Sequence, residues 1–338
     1  MKRFFDATRI ALVFTLIFTL SLAGFSHDTA KPGISTLSAV TADSVALLPS
    51  SDAVAVVDVA RLVNELLPQF RAIAPGQAVK FEQEISEFIN ETGIDPYKIK
   101  SAVIGVKMSD SNSVSAIIEG ITFDPNRLIT AIKGKDNKQE VKTLDYKGKQ
   151  IFVVTSTKAA KARGNEEMAF TQLDADRVAL GNLTGVKTAL DGGNGASNTA
   201  LNTLLAQTSN ALIRFAANIP DTAKRGLAEQ GDMFAQFSTI KTVFGSLDLT
   251  RELSLLLDTK LRTGSSDEAS KLQTSLAALV GLGKMFLGGN NDPAIQALTQ
   301  VIDLVKINAQ DTDVALSLMI PKSVFDQFAE AEKKKEKK

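Results

Sequence analysis

The sequence predicts an α+β fold built as two related modules, each a mixed, mostly antiparallel sheet with helices packed on it. Three observations carry this reading. Short β-branched runs are joined by connections of hairpin length, helical apolar spacing follows groups of strands, and phrases of the first half return in the same order in the second.

The elements begin after an N-terminal export pattern. Met1-Lys2-Arg3 with Arg9 makes a basic start, and the uncharged apolar run from Ile10 to Gly24 is followed by polar Ser26-His27-Asp28. That layout predicts a signal peptide over residues 1–26, with small residues for cleavage at Ser21/Ala23 or Gly24/Ser26. The run is short of the ~20 residues needed to span a bilayer, so no transmembrane anchor is expected after cleavage. Leu22-Ala23-Gly24 would open a lipoprotein box, but Phe25 stands where the acylated Cys is required.

A Ser/Thr/Ala-rich stretch, 27–44, reads as a linker, and module 1 is expected over 45–190. Ala53 to Val59 is a strand. Leu62, Leu66 and Phe70 carry a helical stripe interrupted by Pro68, which resumes at Phe81, Ile85, Phe88 and Ile89 and stops at Gly93. Ser101–Met108 and Val114–Thr122 read as a strand pair around Ser109-Asp110-Ser111-Asn112. Asp124-Pro125 reads as N-cap and first residue of a helix bearing Leu128, Ile129 and Ile132. A hairpin around Lys147-Gly148 and strands near 168–173 and 177–181 complete the module.

Residues 191–207 are expected to form a seam, a linker helix, and module 2 to cover 208–328. Val103-Ile104-Gly105 returns as Val243-Phe244-Gly245, and Ser115 to Glu119 as Ser254 to Asp258. Asp124 is echoed by Asp267, and Arg177 to Leu180 by Asp313 to Leu316. The lysine-rich stretch 329–338 is a charged tail extending a helix begun near Val324.

Three phrases of the first 110 residues belong together. They are Leu48-Pro49-Ser50-Ser51-Asp52-Ala53 leading into the valine strand that ends at Asp58, Thr92-Gly93-Ile94-Asp95-Pro96 between helix and strand, and Val103-Ile104-Gly105-Val106 after it. In these the chain resembles a loose group of uncharacterised exported bacterial proteins, a domain of unknown function. The resemblance implies a structural module and carries over no catalytic residue.

Composition narrows the chemistry. The 338 residues include 38 basic and 38 acidic side chains, no Cys, no Trp and one His. Removing residues 1–26 takes away Lys2, Arg3, Arg9 and Asp6, leaving two more acidic than basic charges. That balance gives no electrostatic case for nucleic acid. Thiol nucleophiles, disulfides, Cys-ligated zinc and His-rich metal sites are excluded, and no cofactor or metal is predicted.

Several local patterns have a chemical and a structural reading. Gly181 to Thr188 lacks the spacing of a phosphate loop and reads as a strand-to-helix turn capped by Thr184. Asp191-Gly192-Gly193-Asn194-Gly195 and Gly288 to Pro293 are oxygen-rich but lack the spacing of a calcium loop. Asp58, Glu119 and Asp258 stand inside apolar strands, where two carboxylates can form an acid–base pair. The structural expectation is that Asp58 caps the next helix while Glu119 and Asp258 face solvent. Leu276–Leu287 is apolar on nearly every side and predicts a core helix, with Leu276, Leu279, Val280, Met285 and Phe286 as the candidate wall of a pocket.

The reading is an exported, non-enzymatic protein that recognises an envelope or extracellular macromolecule through its surface. Two alternatives stay open: a carrier for a hydrophobic, lipid-like ligand held between sheet and helices, and a Ser- or carboxylate-dependent hydrolase.

Overall fold

The computed structural model describes residues 37–73, 75–108, 113–134, 139–156, 167–228, 235–289 and 292–328. The expected signal peptide, the turn 109–112 and the lysine-rich tail lie outside the described residues.

Strands and helices form an α+β fold around one large antiparallel sheet. The strands are β1 (Ala53–Asp58), β2 (Ser101–Lys107), β3 (Ser113–Glu119), β4 (Gln139–Tyr146), β5 (Lys149–Ser156), β6 (Met168–Gln172), β7 (Arg177–Gly181), β8 (Ile213–Asn218), β9 (Thr242–Leu249), β10 (Leu255–Arg262), β11 (Lys306–Gln310) and β12 (Asp313–Ile320). Their order across the sheet is β11-β12-β10-β9-β8-β1-β2-β3-β7-β6-β5-β4. The two expected sheets are thus continuous: β1 and β8 pair along their lengths, and the described pairings are antiparallel throughout.

The β1–β8 seam has a local two-fold pattern. Each strand has six residues, and Ala55 is paired with Phe215, the residue at the same position of its own strand. Asp58 N–H donates to Leu212 O at 2.9 Å, and Asn218 N–H donates to Asp52 O at 2.7 Å, the matching bond at the opposite end. Outward from the seam the order is β1-β2-β3-β7-β6 on one side and β8-β9-β10-β12-β11 on the other, with β5-β4 added to the first.

Local chemistry sets the element ends. The Asp58 carboxylate accepts from Arg61 N–H at 2.9 Å and starts a helical run, α2, made of Val59–Arg61, a π-helical stretch Leu62–Leu66 and Leu67–Ile73. Pro68 has no N–H to give to the preceding turn, and the wider turn closed by Leu67 N–H on Leu62 O accommodates it without ending the run. Helix α3 (Pro75–Thr92) ends at Gly93, and α4 (Pro125–Lys133) is capped by Asp124, whose Oδ1 accepts from Asn126 N–H at 2.9 Å. Lys147 and Gly148, both at positive φ, make the two-residue turn between β4 and β5.

Of three further helices, two correct the sequence expectations. The stretch read as a linker to residue 44 contains α1 (Leu37–Leu47), because Val45 and Leu48, spaced to face one way, are sealed in the core together with Ser44. Helix α5 (Leu183–Leu190) is capped by Asn182 rather than Thr184: the Asn182 side-chain Oδ1 accepts from Gly185 N–H at 2.7 Å, and Thr184 is already helical. Residues 191–207, expected as a seam and linker helix, contain α6 (Gly195–Leu205), whose Leu201, Leu204 and Leu205 pack with Val54, Val56, Ala216 and Phe244 from both halves of the sheet.

Helices α1, α5 and α6 cover one sheet face over the first half and the seam. On the other face α2, α3 and α4 cover the first half. The second half of that face carries α8 (Ser266–Leu287), α9 (Pro293–Asp303) and α10 (322–328), while α7 (Asp221–Ala228) borders the turn 236–239 that packs on α8. The first face stays open beyond β9, where Asp258, Lys260, Asn308 and Met319 are exposed. This open region is charged: Arg262 forks onto Asp313 at 2.7 and 2.9 Å, and its guanidinium lies 4.9 Å from the centre of the buried Phe244 ring.

Candidate functional site

Two places gather groups with chemical potential: a polar row across one end of the sheet, and the far end of α8. Strand register sets the first. Glu119 pairs with Ser101, Ser101 with Asp58, Asp58 abuts Leu212, and Asp248 lies beside Leu212 on the next strand. Side chains in register across a sheet project to one face, so this row carries three carboxylates on the face that α1 and α6 cover.

Glu119 is 1% exposed, against the expectation that it faces solvent. Its carboxylate accepts from Ser101 Oγ at 2.6 Å and from Ser44 Oγ of α1. Ser44 and Ser101 are fully buried, so the three groups are a polar clamp holding α1 on the sheet. The sequence hides this because Ile117 and Ile118 are both apolar; with both sheet faces covered, strand alternation disappears.

Asp58 and Arg214 are both buried, on adjacent strands of the seam. Burial pushes the Asp58 carboxyl above the ordinary carboxylate range, opposed by the Arg61 N–H and by the charges of Arg61 and Arg214. The same desolvation lowers the Arg214 guanidinium, with Asp58 pulling the other way. Arg61 bridges the halves, its Nη1 lying 2.8 Å from Asp248 Oδ1 and its Nε 3.4 Å from Glu65. Asp258 stands two strands away from Arg214, exposed on the open face as expected. The three carboxylates singled out by sequence therefore do not converge: one caps, one is sealed, and one faces solvent.

Residues 191–192 and 288–289 of the glycine-rich stretches are turns. Asp191 holds the Tyr146 hydroxyl at 2.9 Å and Lys147 Nζ at 2.6 Å. At Gly193, φ is +79° and a Cβ would fall 2.0 Å from Ala46 O, so this glycine allows the chain to close against α1. Asp292 caps α9 through Ala294 N–H at 2.8 Å, while residues 290 and 291 lie outside the described set. Among the described residues no cluster of His, Cys, Asp or Glu is arranged to hold a metal ion.

Helix α8 begins with Ser265, whose Oγ accepts from Glu268 N–H at 3.3 Å, while Glu268 Oε2 accepts from Gly264 N–H at 2.7 Å. These reciprocal bonds close the helix start. Ala269 and Leu272 are sealed against Leu261 and Val314, and Leu276 packs at the edge of the same cluster. Beyond Leu276 no residue of the helix is buried, which corrects the expected core helix. Leu279 and Val280 are half-buried. Gly283 lets Ile302 of α9 approach, and Lys284 Nζ sits 2.8 Å from Asp303. Met285 and Phe286 then stand in solvent, 75% and 82% exposed. The five residues proposed as a pocket wall are thus spread from core edge to open water and do not close into one wall. The physical reason is length: a helix of 22 residues runs about 33 Å, and its final turns pass onto α9.

Around this end, α9 buries Ala297 against Ile320, Val324, Phe325 and Phe328. Gln300 Nε2 donates to Gln327 Oε1 of α10 at 3.1 Å, tying the last described helix to α9. No helix of the described residues is long and apolar enough to cross a membrane.

No family model matches the chain, and no curated protein aligns with it significantly. Among solved structures, crystal form I of TP0453 aligns over 85% of this chain and 97% of its own, with TM-score 0.40 and 9% identity. Crystal form III aligns over the same shares at TM-score 0.42 and 9% identity, and form IV over 88% and 98% at 0.41 and 8%.

Proposed function

We propose that this is an exported protein that acts by surface recognition rather than by making or breaking bonds. One contrast carries the reading. The hydroxyls and carboxylate closest to a catalytic set, Ser44, Ser101 and Glu119, are sealed in the core, whereas two large apolar side chains, Met285 and Phe286, are held in solvent at one helix end. A nucleophile or general base must reach its substrate, and a buried clamp on α1 has no such reach. Exposed apolar groups oppose solubility, and two adjacent ones that are more exposed than the other large apolar side chains are suited to contact. Export is supported by the N-terminal pattern of basic residues, apolar run and small residues.

Two measurements test this. Protein purified from its own host should have a new N-terminus near residue 24 or 27 by intact mass, and incubation with ester, amide and phosphate-ester reporters should yield no turnover above blank. Reproducible turnover that disappears in Glu119→Gln would overturn the non-enzymatic reading. An intact Met1 would overturn cleavage.

A further inference from the structure

We infer that Asp58 and Arg214 form a binding site for a small α-amino acid, the Arg214 guanidinium taking its carboxylate and the Asp58 carboxylate its ammonium. This goes beyond the contact reading above and stands independently of it.

Strand register brings the two groups together. Arg214 lies on β8 opposite Val56 of β1 on one side and Ser246 of β9 on the other. Asp58 is two residues beyond Val56 on β1, so both side chains project to the face that α6 covers, a diagonal step of about 7 Å apart between Cβ atoms. Both residues are more than nine-tenths covered, at 8% exposure for Arg214 and 6% for Asp58.

Neither charge is fully paired. Among the described residues no hydrogen bond and no ion pair holds the Arg214 guanidinium, and the charge that acts on it is that of Asp58, across the gap. Asp58 Oδ1 accepts from Arg61 N–H at 2.9 Å, while Oδ2 has no donor among the described residues. The other charges close by are engaged: Arg61 Nη1 lies 2.8 Å from Asp248 Oδ1, and its Nε 3.4 Å from Glu65. Ser246 Oγ lies 2.8 Å from Ser209 Oγ. One of these hydroxyls donates to the other, and the acceptor keeps its own proton for a further bond.

The free atoms are also reachable. Among the described residues, the buried side-chain atoms that lack both a partner and contact with solvent are Gln69 Oε1, Gln172 Oε1 and Thr242 Oγ1. The Arg214 nitrogens and Asp58 Oδ2 are not of that kind, so they touch solvent through a narrow opening between largely covered residues.

A buried charge without a partner is costly. Two opposite charges fixed a diagonal step apart and out of contact therefore gain most from one molecule that meets both. An α-amino acid carries its ammonium and carboxylate on a single carbon, and the narrow opening restricts it to a short side chain. A simple carboxylate would pair with Arg214 but bring a second negative charge beside Asp58, which like-charge repulsion opposes.

The test is equilibrium dialysis of the protein purified from its own host, first freed of small molecules, against radiolabelled glycine and L-alanine at neutral pH. N-acetylglycine and glycinamide, which keep one charge each, serve as unlabelled competitors. Glycine or L-alanine should bind, and each blocked analogue should compete at least about tenfold more weakly, since each forfeits a charge-assisted bond. Asp58→Asn, which retains an acceptor for Arg61 N–H, and Arg214→Gln should each weaken binding by at least about tenfold. An unchanged far-UV circular dichroism spectrum verifies the fold of each variant, and should Arg214→Gln not fold, Asp58→Asn and the two analogues decide the matter. Competition by N-acetylglycine equal to that of glycine overturns the inference, because Asp58 then plays no part. Retention of neither amino acid overturns it and leaves the gap to water, and binding that survives both substitutions places any site elsewhere. The contact reading is untouched by these outcomes, since it fails on turnover.

Discussion

Ala55 and Phe215 face each other across the middle of the sheet, each third in its six-residue strand, so β1 and β8 meet about a local two-fold axis. Val54 and Val56 of one half and Ala216 and Phe244 of the other share one apolar cluster beneath α6. Cutting the chain between residues 207 and 208 would free two central strand edges and open this core. Separated edges aggregate or re-pair. The expected outcome is two fragments that are aggregated or poorly folded alone and that recover native circular dichroism and a single size-exclusion peak when mixed. Two well-folded, monomeric fragments would refute the shared-core account.

Glu119 should be one of the more sensitive polar positions in the protein. Glu119→Ala leaves the Ser44 and Ser101 hydroxyls without their acceptor in a sealed site, at a cost of about 3 kcal/mol, while Glu119→Gln keeps one acceptor oxygen and costs about 1–2 kcal/mol. Urea midpoints give the comparison. Because Ser44 belongs to α1, the Ala variant should also show faster proteolysis within residues 37–47.

Asp58 gives a signed pH effect. Burial raises its carboxyl in the folded protein, so the native state binds that proton more tightly than the unfolded chain. Its ionised form therefore opposes folding above the raised value, and this opposition fades as pH falls toward the ordinary carboxylate range. Asp58→Asn keeps an oxygen for Arg61 N–H and removes the titration. The stability of wild type relative to this variant should improve on acidification from neutral pH, measured by urea unfolding at several pH values. A difference moving the other way rules out the desolvation account.

Tyr146 provides a spectroscopic check of the surface network. Its hydrogen bond to Asp191 raises the phenol, and Asp191 itself is lowered chiefly by its bond to Lys147. In Asp191→Asn, the ultraviolet tyrosinate titration should shift to lower pH for one of the two tyrosines. An unchanged titration would place the Tyr146 hydroxyl away from Asp191 in solution.

Much of the element sequence is legible because local chemistry writes it. Asp124-Pro125 starts a helix, Lys147-Gly148 turns a hairpin, and Gly93 ends a helix, each through bonds within a few residues. Exposure was legible only where one sheet face is open: on β10, Asp258 and Lys260 stand exposed while Leu255 and Leu261 pack into the cores of the other face. In β3, which is covered on both faces, the same reasoning put Glu119 outside and the structure puts it in the core. The apolar run 276–287 misled for a related reason. Hydrophobicity along a helix records composition, and whether a turn is covered depends on what lies beside it.

The sequence by itself determined the α+β class, most strands and helices of the first half in their order, and the absence of cysteine chemistry, because hydrogen-bonding propensity, capping and composition are properties of neighbouring residues. Tertiary structure alone decided that β1 and β8 join two strand groups into one sheet, that Ser44 and Ser101 enclose Glu119, and that α8 outruns its support and leaves Phe286 in water. Those outcomes depend on contacts between segments tens to hundreds of residues apart, where register and helix length, rather than local preference, set which side chains meet.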